Sequence, residues 1–427
     1  MVIATLFILL FGLMLVGVPV AVALGTSTLA SAYLFTDMDL MGISSKIFDG
    51  LNHYTLMAIP MFVLAGSLLA RGSAAGRIIN FAKSLVGHLP GGLPIAAILA
   101  SIIFAAISGS SPATVAAIGS VMYGAIKQAG YNEQFAIGTI ATSGTLGILI
   151  PPSVVFIVYG VIAEQSIGKL FMAGVMPGIM IGAMMMFATY VLARRSGFKS
   201  KKMASFKEIV VSFKEAFWAL LIIFIVIGGI YGGLFTPTEA GAVSVIYAFF
   251  ISYFVYKDVK LKDLHKIILD SAQTSSMIFF IIANAMLFAH FLTDERIPHQ
   301  ITQMIIEANV SPLMFLLIVN ILLLIMGQFM EPSSVVMITV PLLLPIGMAL
   351  GIDPIHLGVI IVVNMEIGML TPPVGLNLFV ASGITGLTMG QVIKASLPMT
   401  LVLLFGLALV TYIPAISLWL PNLMYGY

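Results

Sequence analysis

At 427 residues, with 60% of them hydrophobic and 8% charged, this chain has too few charges to cover a soluble fold. Soluble domains carry about 25% charged residues, so lipid must supply the cover and the chain reads as an all-α polytopic membrane protein. The absence of cysteine suits either redox compartment, and no nucleic-acid partner is expected.

Taken in chain order, Val2 to about Phe35 is too long for a signal peptide and lacks a basic start and a cleavage site, so it reads as one retained helix. Spans are expected near 3–35, 50–70, 133–162, 171–193, 214–235, 238–256, 267–292, 355–385 and 396–420, each with roughly the 20 apolar residues that cross hydrocarbon. Residues 72–88 alternate apolar and basic groups at helical spacing, as a helix lying in the interface does. Residues 293–309 suggest a second such helix on the other face. The stretches 90–127 and 311–350 are twice as long as one crossing, and each is interrupted near its middle. As single crossings they would put charged loops on the wrong sides. A re-entrant helical hairpin solves this, provided its turn is buried in protein or lines a wet cavity.

All but three of the 19 Lys and Arg fall in a few clusters: Arg71 to Lys83, Lys127, Arg194 to Lys214, Lys257 to Lys266, and Lys394. The exceptions, Lys46, Lys169 and Arg296, lie near acids such as Asp37, Asp39, Asp49, Glu164 and Asp294. Positive loops stay cytoplasmic. That rule puts the amino terminus in the cytoplasm and the end of the chain, Trp419 to Tyr427, outside.

An internal repeat organises the chain. Residues 146–152 read LGILIPP and residues 367–373 read IGMLTPP; Gly147, Leu149, Pro151, Pro152 and Pro177 recur as Gly368, Leu370, Pro372, Pro373 and Pro398. The hairpin interruptions, Ser108–Thr114 and Gly327–Ser334, correspond too. Charge runs the span 133–162 outward and the span 355–385 inward, so the repeat is of inverted topology, as in many secondary transporters. Paired prolines end a helix, each lacking an N–H donor and clashing with the preceding turn. Carbonyls of Gly147 to Ile150 and of Gly368 to Thr371 are then left open for a small cation. The helices restarting near Ser153 and Val374 aim their positive ends at the same depth, which suits an anion.

The motifs SGSSPAT (108–114), GxLxPPS (147–153), GxFMEP (327–332) and GMLTPPVGLNLF (368–379) resemble the large membrane (M) subunit of tripartite ATP-independent periplasmic (TRAP) transporters of the dicarboxylate and sialic acid group. The resemblance runs the length of the chain. It implies a bacterial inner-membrane importer of carboxylates driven by sodium, with a separate small membrane subunit (the Q type) and a periplasmic substrate-binding protein as partners. It implies an elevator, in which hairpins and broken helices slide against a scaffold. The divisions are then 1–89 (scaffold spans and interfacial helix), 90–165 (first transport half), 166–310 (scaffold), 311–388 (second transport half) and 389–427 (last scaffold span).

Within that frame the first sodium site is expected at Ser108, Ser110, Gly147 and Ile150, the second at Gly327, Gln328, Gly368 and Thr371, and substrate contacts at Ser111, Ser153 and Asn377. No Lys or Arg is expected at membrane depth, so helix ends, hydroxyls and bound sodium would hold the carboxylate. Glu331 and Glu366 are the acids nearest that depth, and Glu366 could instead carry protons. Glu239, after Thr236-Pro-Thr, reads as a helix cap. No cofactor is expected. The histidines lack ligand spacing, hydrolase motifs are missing, and Gly160–Leu170 departs from a phosphate loop at Ala163 and Leu170, so neither an enzyme nor a nucleotide-driven pump is expected. A permease of another importer class, drawing on ATP through a separate chain, is an alternative that the inverted repeat with its paired Pro-Pro breaks argues against, and a channel would conduct without a coupled cation.

Overall fold

The computed structural model describes residues 2–36, 40–200 and 202–426; Asp37, Asp39, Lys201 and Tyr427 lie outside the described residues. Two short helices open the chain, α1 (Val2–Leu15) and α2 (Val20–Phe35), and they pack against each other. This corrects the expectation of one span over 3–35. Gly17 turns with φ +90°, and Pro19 has no N–H to continue a helix. Helix α3 (Leu40–Leu51) follows. A 3-10 turn over Tyr54–Met57 leads into α4 (Ala58–Arg71), and α5 (Ala74–Val86) buries Ile78, Ile79 and Ala82 on one side.

The first hairpin is α6 (Gly92–Ser108) and α7 (Ser111–Gln128), turned at Gly109 with φ +60°. The first broken helix comprises α8 (Glu133–Ser143), a 3-10 turn over Gly144–Ile148, and α9 (Val154–Ile162). Four long apolar helices come next: α10 (Ile167–Arg195), α11 (Phe206–Tyr231), α12 (Pro237–Phe250, extended by a π turn over Ile251–Val255) and α13 (Leu261–Asp294). The short α14 (Ile297–Glu307) precedes the second hairpin, α15 (Pro312–Gly327) and α16 (Pro332–Ala349). The second broken helix is α17 (Pro354–Gly368) and α18 (Leu376–Thr385). The chain closes with α19 (Met389–Tyr412) and α20 (Ala415–Tyr425). One span over 396–420 is therefore also corrected: Pro414 ends α19, and the restriction it places on Ile413 favours an extended backbone there. The helix after the second break starts at Leu376, two residues beyond Val374.

Local chemistry sets the helix starts. Ser205 with Glu208 and Thr236 with Glu239 form capping boxes, each satisfying two otherwise orphaned N–H groups, and the Gln391 side chain accepts from the Thr388 N–H (2.9 Å) at the start of α19. Glu239 is thus the cap its sequence position suggests. Packing divides the helices: α7 lies against α8 and α18, and α16 against α9 and α17. Along the edge of this assembly run α4, which meets α6, and α13, which meets α16; α2 and α12 pack behind them. The two hairpins and two broken helices therefore share one interior, flanked by α4 and α13.

Candidate functional site

The two interruptions meet the two hairpin tips. A Cβ on Gly147 would sit 2.6 Å from the Ser110 carbonyl oxygen and 2.8 Å from the Ser111 Cα. On Gly368 it would sit 2.7 Å from the Gly327 Cα and 2.9 Å from its carbonyl oxygen. Contacts this close need glycine, because any side chain would strike backbone. A Cβ on Gly109 would in turn lie 2.7 Å from the Pro152 carbonyl. The Pro151–Pro152 and Pro372–Pro373 bonds are both cis.

Each break exposes carbonyls, though unequally. The Leu146 carbonyl takes the N–H groups of Leu149 and Ile150 (both 3.2 Å), while no described backbone donor reaches the carbonyls of Leu149 or Ile150. At the second break the Gly368 carbonyl accepts from Thr371 N (3.0 Å) and the Met369 carbonyl from Asn377 N (3.1 Å). Two of the four carbonyls expected open there are already taken. Leu370 and Thr371 keep theirs free of described backbone donors.

Side chains at the first tip form a hydroxyl cluster. Ser108 Oγ lies 2.8 Å from Thr114 Oγ1, and Thr114 Oγ1 donates to the Ser110 carbonyl (2.9 Å). Gln328 Nε2 donates to the Leu324 carbonyl (3.2 Å), and the Gln328 carbonyl takes Val374 N (3.2 Å). Thr371 Oγ1 donates to the Ile367 carbonyl (2.8 Å). Oxygen-rich and free of Lys and Arg, both junctions suit a hard monovalent cation.

The three residues expected at substrate divide. Asn377 Nδ2 donates to Ser111 Oγ (2.6 Å), and the Ser111 hydroxyl donates to the Gly144 carbonyl (2.9 Å). Both side chains are fully buried, so this pair first serves to tie α7 of one half to α18 of the other. Among the described residues Asn377 Oδ1 has no partner. Ser153 is also fully buried and accepts from Phe156 N (3.4 Å), which makes it the cap of α9.

A cavity of about 200 Å3 lies where both tips face the flanking helices. Gly109, Ser110, Ser111 and Pro112 line one side, Glu331, Pro332 and Ser333 another, and Val63 of α4 with Thr274 and Met277 of α13 close it. Asn377 and Ser153 do not reach it. Glu331 caps α16, accepting from Ser333 Oγ (2.8 Å) and Ser334 N (3.3 Å). Its counterpart at the repeat shift is Ser110, which stands at the N-cap position of α7 without a side-chain cap bond, so the second tip carries a carboxylate where the first carries a hydroxyl. Thr274 and Val63 escaped the sequence reading, which followed only interrupted helices. The polar run Gln273-Thr274-Ser275-Ser276 inside the apolar span 267–292 was the available signal. Glu366 is fully buried, and neither of its carboxyl oxygens has a partner among the described residues. Among the described residues no cluster of three or more His, Cys, Asp or Glu could hold a metal ion.

Comparison with known proteins decides the family. Residues 7–416 match the DctM component of tripartite ATP-independent periplasmic transporters. The chain belongs to that family. It is 52% identical over 400 residues to the C4-dicarboxylate TRAP transporter large permease protein DctM of Pseudomonas aeruginosa, covering 94% of each chain. Against the sialic acid TRAP transporter large permease protein SiaM of Vibrio cholerae the identity is 37%, covering 97% of each. The YdaH transporter of Alcanivorax borkumensis has a similar fold, with a TM-score of 0.67 over 95% of this chain and 97% of that one, at 14% identity. DctM-family chains are transporter permease subunits and not enzymes, in keeping with the missing catalytic motifs.

Proposed function

We propose that this chain imports a C4-dicarboxylate across the bacterial inner membrane, driven by sodium. A periplasmic binding protein delivers the solute, and a separate small membrane subunit braces the chain. The single observation that carries the reading is the meeting of each hairpin tip with its proline break, which gathers oxygen ligands beside a cavity that no fixed positive charge lines. Sodium binds at Ser108, Ser110, Gly147 and Ile150, and again at Gly327, Gln328, Gly368 and Thr371. Two bound cations then offset the carboxylates of the solute in the adjoining cavity, at Ser110 and Ser111. The 52% identity to a C4-dicarboxylate relative, against 37% to a sialic acid one, favours the smaller acid.

In this reading residues 90–165 and 311–388 move together as an elevator against a scaffold led by α4 and α13. The face bearing the basic clusters is cytoplasmic, and α20 is external. Because α1 and α2 fold back on each other, the amino terminus shares the face of α3. With Lys46 outside, it is external as well, opposite to the charge-based assignment.

The test is uptake of labelled succinate and sialic acid into proteoliposomes containing this chain and its small partner, with binding protein outside. Uptake of succinate that needs an inward sodium gradient supports the proposal. Equal uptake from sodium-free buffer under a proton gradient would refute sodium coupling and turn attention to Glu366.

A further inference from the structure

A second cavity, of about 360 Å3, lies directly below the first on the side of the basic clusters. The same three helices line both, one turn further along. On α4, Val63 faces the upper cavity and Ser67 and Ala70 the lower; on α7, Ser111 and Pro112 give way to Ala113, Ala117 and Ser120; on α13, Thr274 gives way to Asp270. Thr274 Oγ1 donates to the Asp270 carbonyl (3.0 Å), fixing that step. The α7 side chains along the lower stretch are small and recur at helical spacing, so that face of the hairpin arm forms a smooth wall, with Ile267 of α13 also lining the cavity. Among the residues lining the two cavities, Arg71 alone is basic, and it pairs with Asp270 across the lower mouth.

We propose that the lower cavity is the exit path for the carboxylate solute and that Arg71 is its receptor there, with Asp270 competing with the solute carboxylate for the guanidinium. This rests on the carboxylate-import reading. The side chains of Arg71 and Asp270 are 41% and 45% exposed. An exposed pair of this kind is weak and exchanges partners readily, whereas the planar guanidinium fork matches any carboxylate. The upper cavity holds the solute without a fixed cation; a single positive charge one step below draws it onward.

Succinate uptake by Arg71→Gln, Arg71→Lys and Asp270→Asn proteins tests this. Loss of a charge-assisted contact predicts about a tenfold fall for Arg71→Gln, partial recovery in Arg71→Lys, and no fall for Asp270→Asn, which only removes the competitor. Equal losses in Arg71→Gln and Asp270→Asn would mark the pair as a structural clasp and overturn the proposal. Because the chain has no cysteine, Ser120→Cys gives a single thiol in the lower cavity. In inside-out vesicles succinate should slow its reaction with an anionic methanethiosulfonate, and Arg71→Gln should abolish that protection. Absence of protection in the Ser120→Cys protein while succinate uptake persists would also overturn it. If no carboxylate is transported at all, the import reading fails by itself. The anionic reagent should still react several-fold faster in the Asp270→Asn background than in the Arg71→Gln background, and equal rates there would remove Arg71 as an anion receptor.

Discussion

Gly147→Ala is the sharpest perturbation of the first junction. The added Cβ would lie 2.6 Å from the Ser110 carbonyl oxygen, 0.8 Å inside the 3.4 Å at which ordinary contact begins. The obstacle is backbone, so no side chain can swing aside. Gly147 does not have positive φ, and alanine therefore suits its backbone; the effect is one of space alone. Overpacking of this kind costs about 1–3 kcal/mol. The tip can relieve it by withdrawing from the break, which separates Ser110 from the carbonyls of Leu149 and Ile150. Set against the cation-bound state, that range is about a 5- to 150-fold loss of sodium affinity. Sodium titration of succinate uptake in proteoliposomes reads it as a raised half-saturation concentration. Gly124→Ala, with no described atom within 4 Å of the new Cβ, is the control. An unchanged sodium response in Gly147→Ala would refute the idea that the tip and the break form one site.

The remaining predictions address other parts of the same assembly. Gly368→Ala brings its Cβ to 2.7 Å from the Gly327 Cα and should weaken sodium dependence by a similar factor, measured by the same titration. Ser111→Ala leaves Asn377 Nδ2 buried without its partner, a loss of about 1–3 kcal/mol; thermal unfolding in detergent should fall, and Asn377→Leu added to it should cost less than the two separately. A Cβ on Gly66 of α4 would meet the Ser108 carbonyl at 2.9 Å, so Gly66→Ala should both slow uptake and raise the half-saturating sodium concentration, read by the same titration. Thr236→Ala breaks a capping box remote from the site and should lower stability by about 1 kcal/mol with no change in uptake per folded molecule.

Much of this architecture was legible because lipid and proline impose blunt rules. Pro151-Pro152 and Pro372-Pro373 cannot lie within a helix, and stretches twice the length of a crossing must fold back; the breaks and hairpins followed directly. The opening segment was misread because Gly17-Val18-Pro19 is short and apolar, and hydropathy alone passes over it. Contacts between distant segments had no such signal. Nothing near Asn377 announces that it bonds Ser111, 266 positions away, and nothing in the repeat points to α13, whose Thr274 closes the cavity. The repeat also overstated symmetry. Glu331 stands where Ser110 stands in the first half, and the Gly368 carbonyl is engaged by Thr371, because each tip packs against a different neighbourhood.

Binding of radioactive sodium to the purified chain, in potassium buffer and without solute, probes the junctions most directly. Saturable binding that excess unlabelled sodium displaces and potassium does not, weakened at least several-fold in both Gly147→Ala and Gly368→Ala, is the expected result. No saturable sodium binding, or binding that both glycine variants leave intact, would contradict the account.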